Sequence, residues 1–170
     1  MTTASGAPEM LHGWAIYLRA SEEARRRGDR RTGTEHLLLA LLHEPSIEVL
    51  LGVNVQQARR ALASLDQQAL GSLGLEPGWD APELPARSVP RKPSFRDVIQ
   101  KDRARLTPAA KKVLQGAARL NRRRAYVTAQ QVLAQVLMLQ PPDPAAVLLD
   151  ALGADVSDLR RHLEQTPPTD

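Results

Sequence analysis

The residues able to do chemistry in this 170-residue chain are few and scattered. Cysteine is absent, which excludes thiol nucleophiles, disulfides and Cys-ligated zinc together. Of the four histidines, His36 and His43 are seven positions apart, two turns along a helix and too distant to share an ion, and none pairs with acids at a metal-ligand spacing. No metal and no cofactor are expected. The chain has no Gly-x-x-x-x-Gly-Lys-Ser/Thr loop to cradle phosphate, and no Ser/His/Asp order or carboxylate pair, so the sequence points away from an enzyme. What remains is one placed carboxylate and several arginine runs. Glu35 opens an apolar run, where it could serve a ligand or simply face the positive end of a helix dipole. His36 beside it fits a partly buried structural role. Arg25-Arg26-Arg27, Arg30-Arg31 and Arg122-Arg123-Arg124 could meet an anionic partner or sit as solvated turns between helices.

Helices must position these groups. Hydrophobic residues make up 42% of the chain and aromatics only 3%, with Ala, Leu and Arg dominant, a mixture that favours helices over strands. The expected class is all-α. Gly33-Thr34-Glu35-His36-Leu37-Leu38-Leu39-Ala40-Leu41-Leu42 is the most patterned stretch. Thr34 is expected to cap it with its hydroxyl, Glu35 to meet the dipole, and Pro45 to end it. A helix apolar nearly all round has to be wrapped by the others. No apolar run approaches the roughly 20 residues needed to span a bilayer. Residues 1–8 lack a signal-peptide layout, so a soluble cytoplasmic protein with no membrane partner is expected. The net charge of +4 is weak support for nucleic acid, and the scarcity of aromatics for stacking on bases, with no helix-turn-helix pattern, disfavours it further.

In chain order, Leu11, Ala15 and Leu18 begin a helix that runs to Gly28. The central helix spans Thr34 to Glu44, and Ser46 to Leu51 makes a short third, ended by Gly52. Asn54 and Gln57 form a capping box for a fourth, with Val55, Ala58, Leu62 and Leu65 on one face. Prolines and glycines then break the pattern: 66–105 reads as a linker, with a short helix near 94–104 (Phe95, Val98, Ile99) suited to docking on the body. Thr107-Pro108 opens a further helix and Thr128 the next. Asp143-Pro144 starts a third that ends near Gly153, and Asp155 caps a fourth. Leu51-Gly52-Val53-Asn54-Val55 matches Leu152-Gly153-Ala154-Asp155-Val156, so the chain contains a four-helix unit twice. The expected architecture is two pseudo-symmetric units, 9–65 and 106–165, packed as one eight-helix domain.

The Gly33–Leu42 motif, Glu22-Glu23-Ala24, the Leu51–Val53 turn and Leu106-Thr107-Pro108-Ala109-Ala110-Lys111-Lys112-Val113-Leu114 together resemble the double Clp repeat. This is the N-terminal domain of Clp-type AAA+ unfoldases, above all the ClpC branch. The resemblance implies a non-catalytic module that binds adaptors, substrates or cyclic peptides, here as a stand-alone domain serving as an adaptor, a decoy or a sequestering protein of the Clp protease system. The alternative is a regulator that meets nucleic acid or another anion through its Arg-rich turns.

The resemblance also implies site residues. In the family a Thr opening the first helix and the Glu of Gly-Thr-Glu-His receive phosphoarginine. Here the first repeat keeps Glu35 but has Met10 at the Thr position, and the second keeps Thr107 but has Gln130 in place of the Glu. A neutral amide cannot give a guanidinium the bidentate, charge-assisted bond of a carboxylate, so phosphoarginine binding is expected to be weak. Leu106 and Lys111 line the groove between repeats in the family, where an aromatic commonly holds the Leu106 position. They and Gln115 are expected to face Trp14, Ile16 or Tyr17 across a peptide-binding groove, with Lys111 bonding a backbone carbonyl.

Overall fold

A computed structural model describes residues 13–74, 106–120 and 127–165. Among these residues the protein is all-helical, and no helix is long and apolar enough to cross a membrane. The first repeat holds α1 (Gly13–Arg27), α2 (Thr34–Leu41), α3 (Pro45–Leu51) and α4 (Val55–Ser72). The second holds α5 (Pro108–Leu120), α6 (Ala129–Val136), α7 (Pro144–Ala151) and α8 (Val156–Gln165).

The centre is α2, which packs against α1, α4, α5, α6 and α7. Leu37 through Leu41 are fully buried, as is Leu133 with Val132, Val136 and Leu137 of the α6 region. Burial all round explains why no polar residue interrupts Leu37–Leu42. The first repeat supplies α2 and the second the apolar face of α6 to a shared interior, so neither could close a core of this size alone.

Local chemistry fixes the helix ends. Gly28, Gly52 and Gly153 take positive φ of 79°, 67° and 69°, the left-handed backbone that ends helices and that side chains disfavour. Asn54 and Gln57 cap α4 reciprocally, at 2.9 Å for the Gln57 N–H and 2.8 Å for the Asn54 N–H. Thr128 and Gln131 do the same for α6, and Asp143 and Asp155 accept from the first turns of α7 and α8.

Three sequence expectations change. The N-cap of α2 is Gly33, not Thr34, whose hydroxyl instead donates to Asp143 Oδ1 at 2.7 Å. The helix ends at Leu41, and Pro45 opens α3 rather than stopping α2, because its fixed φ and missing N–H suit a first helical position. Third, α4 continues to Ser72, past the point where the linker was expected to begin. Beyond Leu62 its residues are exposed apart from half-buried Leu65, and Arg27 of α1 holds Asp66 there at 2.8 Å. Most of the linker, its expected helix at 94–104, Leu11 and Arg122-Arg123-Arg124 lie outside the described residues.

Candidate functional site

Two reciprocal backbone bonds stitch the repeats together. The Gly13 N–H donates to Val127 O at 2.7 Å, bringing the start of α1 to the residue before the α6 cap. The Thr107 N–H donates to Thr32 O at 2.9 Å, bringing the start of α5 to the residue before the α2 cap. Gly13 is needed for the first: a Cβ there would stand 2.9 Å from Val127 Cβ.

The stitching leaves a cavity of about 490 Å³ between α1 and α5, lined by Gly13, Trp14, Tyr17, Leu106, Lys111, Leu114, Gln115, Ala118 and Val127. Trp14 and Tyr17 form its aromatic wall, their ring centroids 5.4 Å apart and tilted by 36°. Lys111 and Gln115, one turn apart on α5, supply its polar groups. The structure thus brings together Trp14, Tyr17, Leu106, Lys111 and Gln115 as the sequence predicts. Ile16 is different: it is 0% exposed and belongs to the core, since one step along a helix turns a side chain by about 100°. Leu114, Ala118 and Val127 were missed. The first two could have been found from Lys111, at i+3 and i+7 on the same helix face.

A second polar cluster surrounds the start of α2. His36 is 0% exposed. Its Nε2 lies 2.9 Å from Asp29 Oδ2, and its Nδ1 lies 3.0 Å from both Gly33 N and Glu35 Oε1. With Nε2–H donating to Asp29, a neutral ring accepts the Gly33 N–H at Nδ1, whereas a protonated ring gives that position to Glu35. Asp29 also accepts from Arg27 Nε at 3.0 Å, and Arg27 reaches Asp66 of α4 at 2.8 Å. Sequence spacing hid this arrangement, because Asp29 lies in a turn and its approach to His36 depends on the path after Gly28.

Asp29, Glu35 and His36 present ligand atoms within 4.8 Å of one another, which corrects the expectation that no histidine meets acids. The two carboxylates engage opposite ring nitrogens, whose lone pairs diverge, and Arg27 already neutralises Asp29. The arrangement works as a lock on the α2 terminus rather than a cage for one ion. Burial pushes the Glu35 carboxyl up. The His36 ring and the residue's own backbone N–H outweigh this and hold it below the ordinary carboxylate value. Glu35 therefore stays ionised over the α2 dipole.

The remaining predicted site residues are placed as follows. Thr107, assigned to the other repeat in sequence, sits beside the segment leading to Glu35 through its bond to Thr32, and its hydroxyl accepts the Ala110 N–H at 3.2 Å as a helix cap. Gln130 is half-buried on the first turn of α6, at the opposite junction. Met10 lies outside the described residues. Arg25, Arg26, Arg30 and Arg31 are exposed. His43 Nε2 joins Arg59 on Glu23, at 3.1 Å and 2.9 Å, which ties the α2–α3 turn and α4 to α1.

The family model of the Clp repeat N-terminal domain matches residues 14–138, which takes in the first repeat, the linker and the groove-forming helix of the second. The chain belongs to the Clp N-terminal domain family. Its fold is similar to the crystal structure of the N-terminal domain of the caseinolytic-protease-associated chaperone ClpD from Arabidopsis thaliana, with a TM-score of 0.61 over 95% of this chain and 96% of that one, at 19% identity. No curated protein matches the chain. Clp N-terminal domains are generally protein-interaction modules of Clp chaperones, and the double-repeat fold described above is theirs.

Proposed function

We propose that the groove between α1 and α5 receives a hydrophobic peptide segment and that the protein is a non-catalytic binding module of Clp proteolysis, acting as an adaptor, a decoy or a sequestering protein. The observation that carries this reading is the cavity of about 490 Å³ with a mostly apolar lining and the polar groups of Lys111 and Gln115 on one helix. That size and composition suit a ligand of a few side chains, oriented by a small number of hydrogen bonds. Occupation of the groove brings a partner to a protease complex or keeps a peptide away from one. Glu35 supports the scaffold, since its carboxylate is turned onto the α2 terminus.

The test is capture of the native partner from lysate by the wild-type chain and by Leu106→Glu, with helicity and near-ultraviolet dichroism checked for both. Loss of the partner with the fold retained supports the groove. Retention by Leu106→Glu, with loss instead when Arg122, Arg123 and Arg124 are changed to Ala, replaces it with the reading in which arginine turns meet an anion.

A further inference from the structure

We propose that this groove takes the C-terminal end of a peptide, its last apolar side chains on the floor and its terminal carboxylate on Lys111 and Gln115. The inference rests on the groove reading and narrows it to one ligand chemistry. Its ground is the distribution of charge. Among the described residues that line the groove, Lys111 is the single charged one. From Leu106 to Leu120 the described chain carries three cations, Lys111, Lys112 and Arg119, and no acid. Nor does α5 have an acidic residue in its first turn to offset the positive end of its dipole. The facing wall, Gly13 to Ser21, holds Arg19 and again no acid, while Glu22 and Glu23 follow further along α1, Glu23 with its carboxylate already taken by Arg59 and His43. An apolar cleft set in a field of one sign concentrates ligands of the other.

The donors match in number as well as sign. Lys111 and Gln115 stand at i and i+4 on one face of α5, neighbours on the helix surface, and neither side chain is engaged by another described residue. An ammonium and a carboxamide N–H side by side serve the two oxygens of a carboxylate, and a mid-chain carbonyl would use only one of them. A chain end also places its carboxylate directly after its last apolar side chain and needs a single path into a cavity of this volume. An internal segment needs two.

The experiment is calorimetric titration of the full chain with acetyl-Gly-Ser-Leu-Ala-Val-Leu bearing a free carboxylate and with the same peptide as its C-terminal amide. A third peptide has an amide end and Asp before its last residue. The free acid is expected to bind about fivefold more tightly than the amide at low ionic strength, an effect discounted for the exposure of Lys111, with the gap closing in high salt. Lys111→Gln should erase the gap between acid and amide. Equal affinity of acid and amide, or a gap that survives Lys111→Gln, overturns the inference. So does an Asp peptide that binds as well as the free acid, or the absence of saturation by either end group at millimolar peptide. Leu106→Glu separates the two levels. If acid and amide bind equally and both are lost in that variant, the groove stands and the carboxylate site falls. If both peptides bind Leu106→Glu as they bind wild type, the groove falls too.

Discussion

Thr34 and Asp143, 109 positions apart, share a 2.7 Å hydrogen bond in which the Thr hydroxyl of one repeat reaches the N-cap carboxylate of the other. The same Oδ1 accepts the Ala145 N–H at 3.0 Å, so one oxygen both caps α7 and anchors α2. Thr34→Val should lower stability by about 1 kcal/mol, the ordinary net worth of one hydrogen bond, and Asp143→Ala by about 2 kcal/mol because the cap is lost as well. Urea unfolding of the double variant should fall short of the sum. Strict additivity would show that the two residues do not act together.

Leu38 is 0% exposed on the helix that every neighbouring layer touches. Leu38→Asp buries a carboxylate with no partner, at a cost of several kcal/mol, and should leave the chain unfolded or aggregated at room temperature. A soluble Leu38→Asp protein with unchanged thermal melting would contradict the shared core.

Acid sensitivity follows from Glu23 and Glu35. Burial raises the Glu23 carboxyl, but the Arg59 and His43 bonds outweigh it and leave it below the ordinary 4.5. A folded-state value below the unfolded one stabilises the fold above pH 4.5, and that contribution is lost as pH falls through the folded value. Melting temperature should therefore drop below about pH 4.5 on account of these groups. Glu23→Gln should be less stable at pH 7 by about 1–2 kcal/mol, with the difference shrinking as acid is added. A difference that grows in acid would reverse the assigned sign.

Gly33 has φ of −96°, a conformation open to any residue, so backbone freedom does not explain it. A Cβ there would run into the Glu35 carboxylate, which is held in place by His36. Gly33→Ala should displace that carboxylate and cost about 1 kcal/mol in thermal or urea unfolding. Gly33→Ala in a Glu35→Gln background would then lose much of its effect, because an amide can turn away freely. An equal cost in both backgrounds would move the cause elsewhere.

Much of the fold was legible because it is written in local terms. Helix caps at Asn54, Thr107, Thr128, Asp143 and Asp155 are side chains acting within one turn, and the apolar periods that follow them are local as well. What sequence did not show is contact across the chain. Thr34 has the residue type of a cap, yet the neighbouring Gly33 already provides the extended backbone, and a partner in the other repeat claims the hydroxyl. For the site, spacing on α5 disclosed Lys111 and Gln115, while Val127 enters the groove only because Gly13 is bonded to it. Asp29 was invisible for the same reason.

Phosphoarginine should bind weakly, for reasons the structure shifts. Thr107 and Glu35 are split between repeats in sequence but meet at one junction through the Thr107–Thr32 bond. Each is already engaged, Thr107 as the cap of α5 and Glu35 with His36, so a ligand must displace existing bonds. Calorimetry with free phosphoarginine should show millimolar affinity or none. Submicromolar binding would mean that these bonds yield readily.

The two junctions share a backbone plan but not a chemistry. Where the first repeat sets Thr34, Glu35 and His36, the second sets Ala129, Gln130 and Gln131, and the capping role of His36 passes to the Gln131 amide. A duplicated scaffold with identical poles would seat two copies of a ligand, or one ligand in two opposite orientations. Here the acidic pole occurs once and the amide pole once. Any partner that senses them is held to a stoichiometry of one and to a single direction of approach.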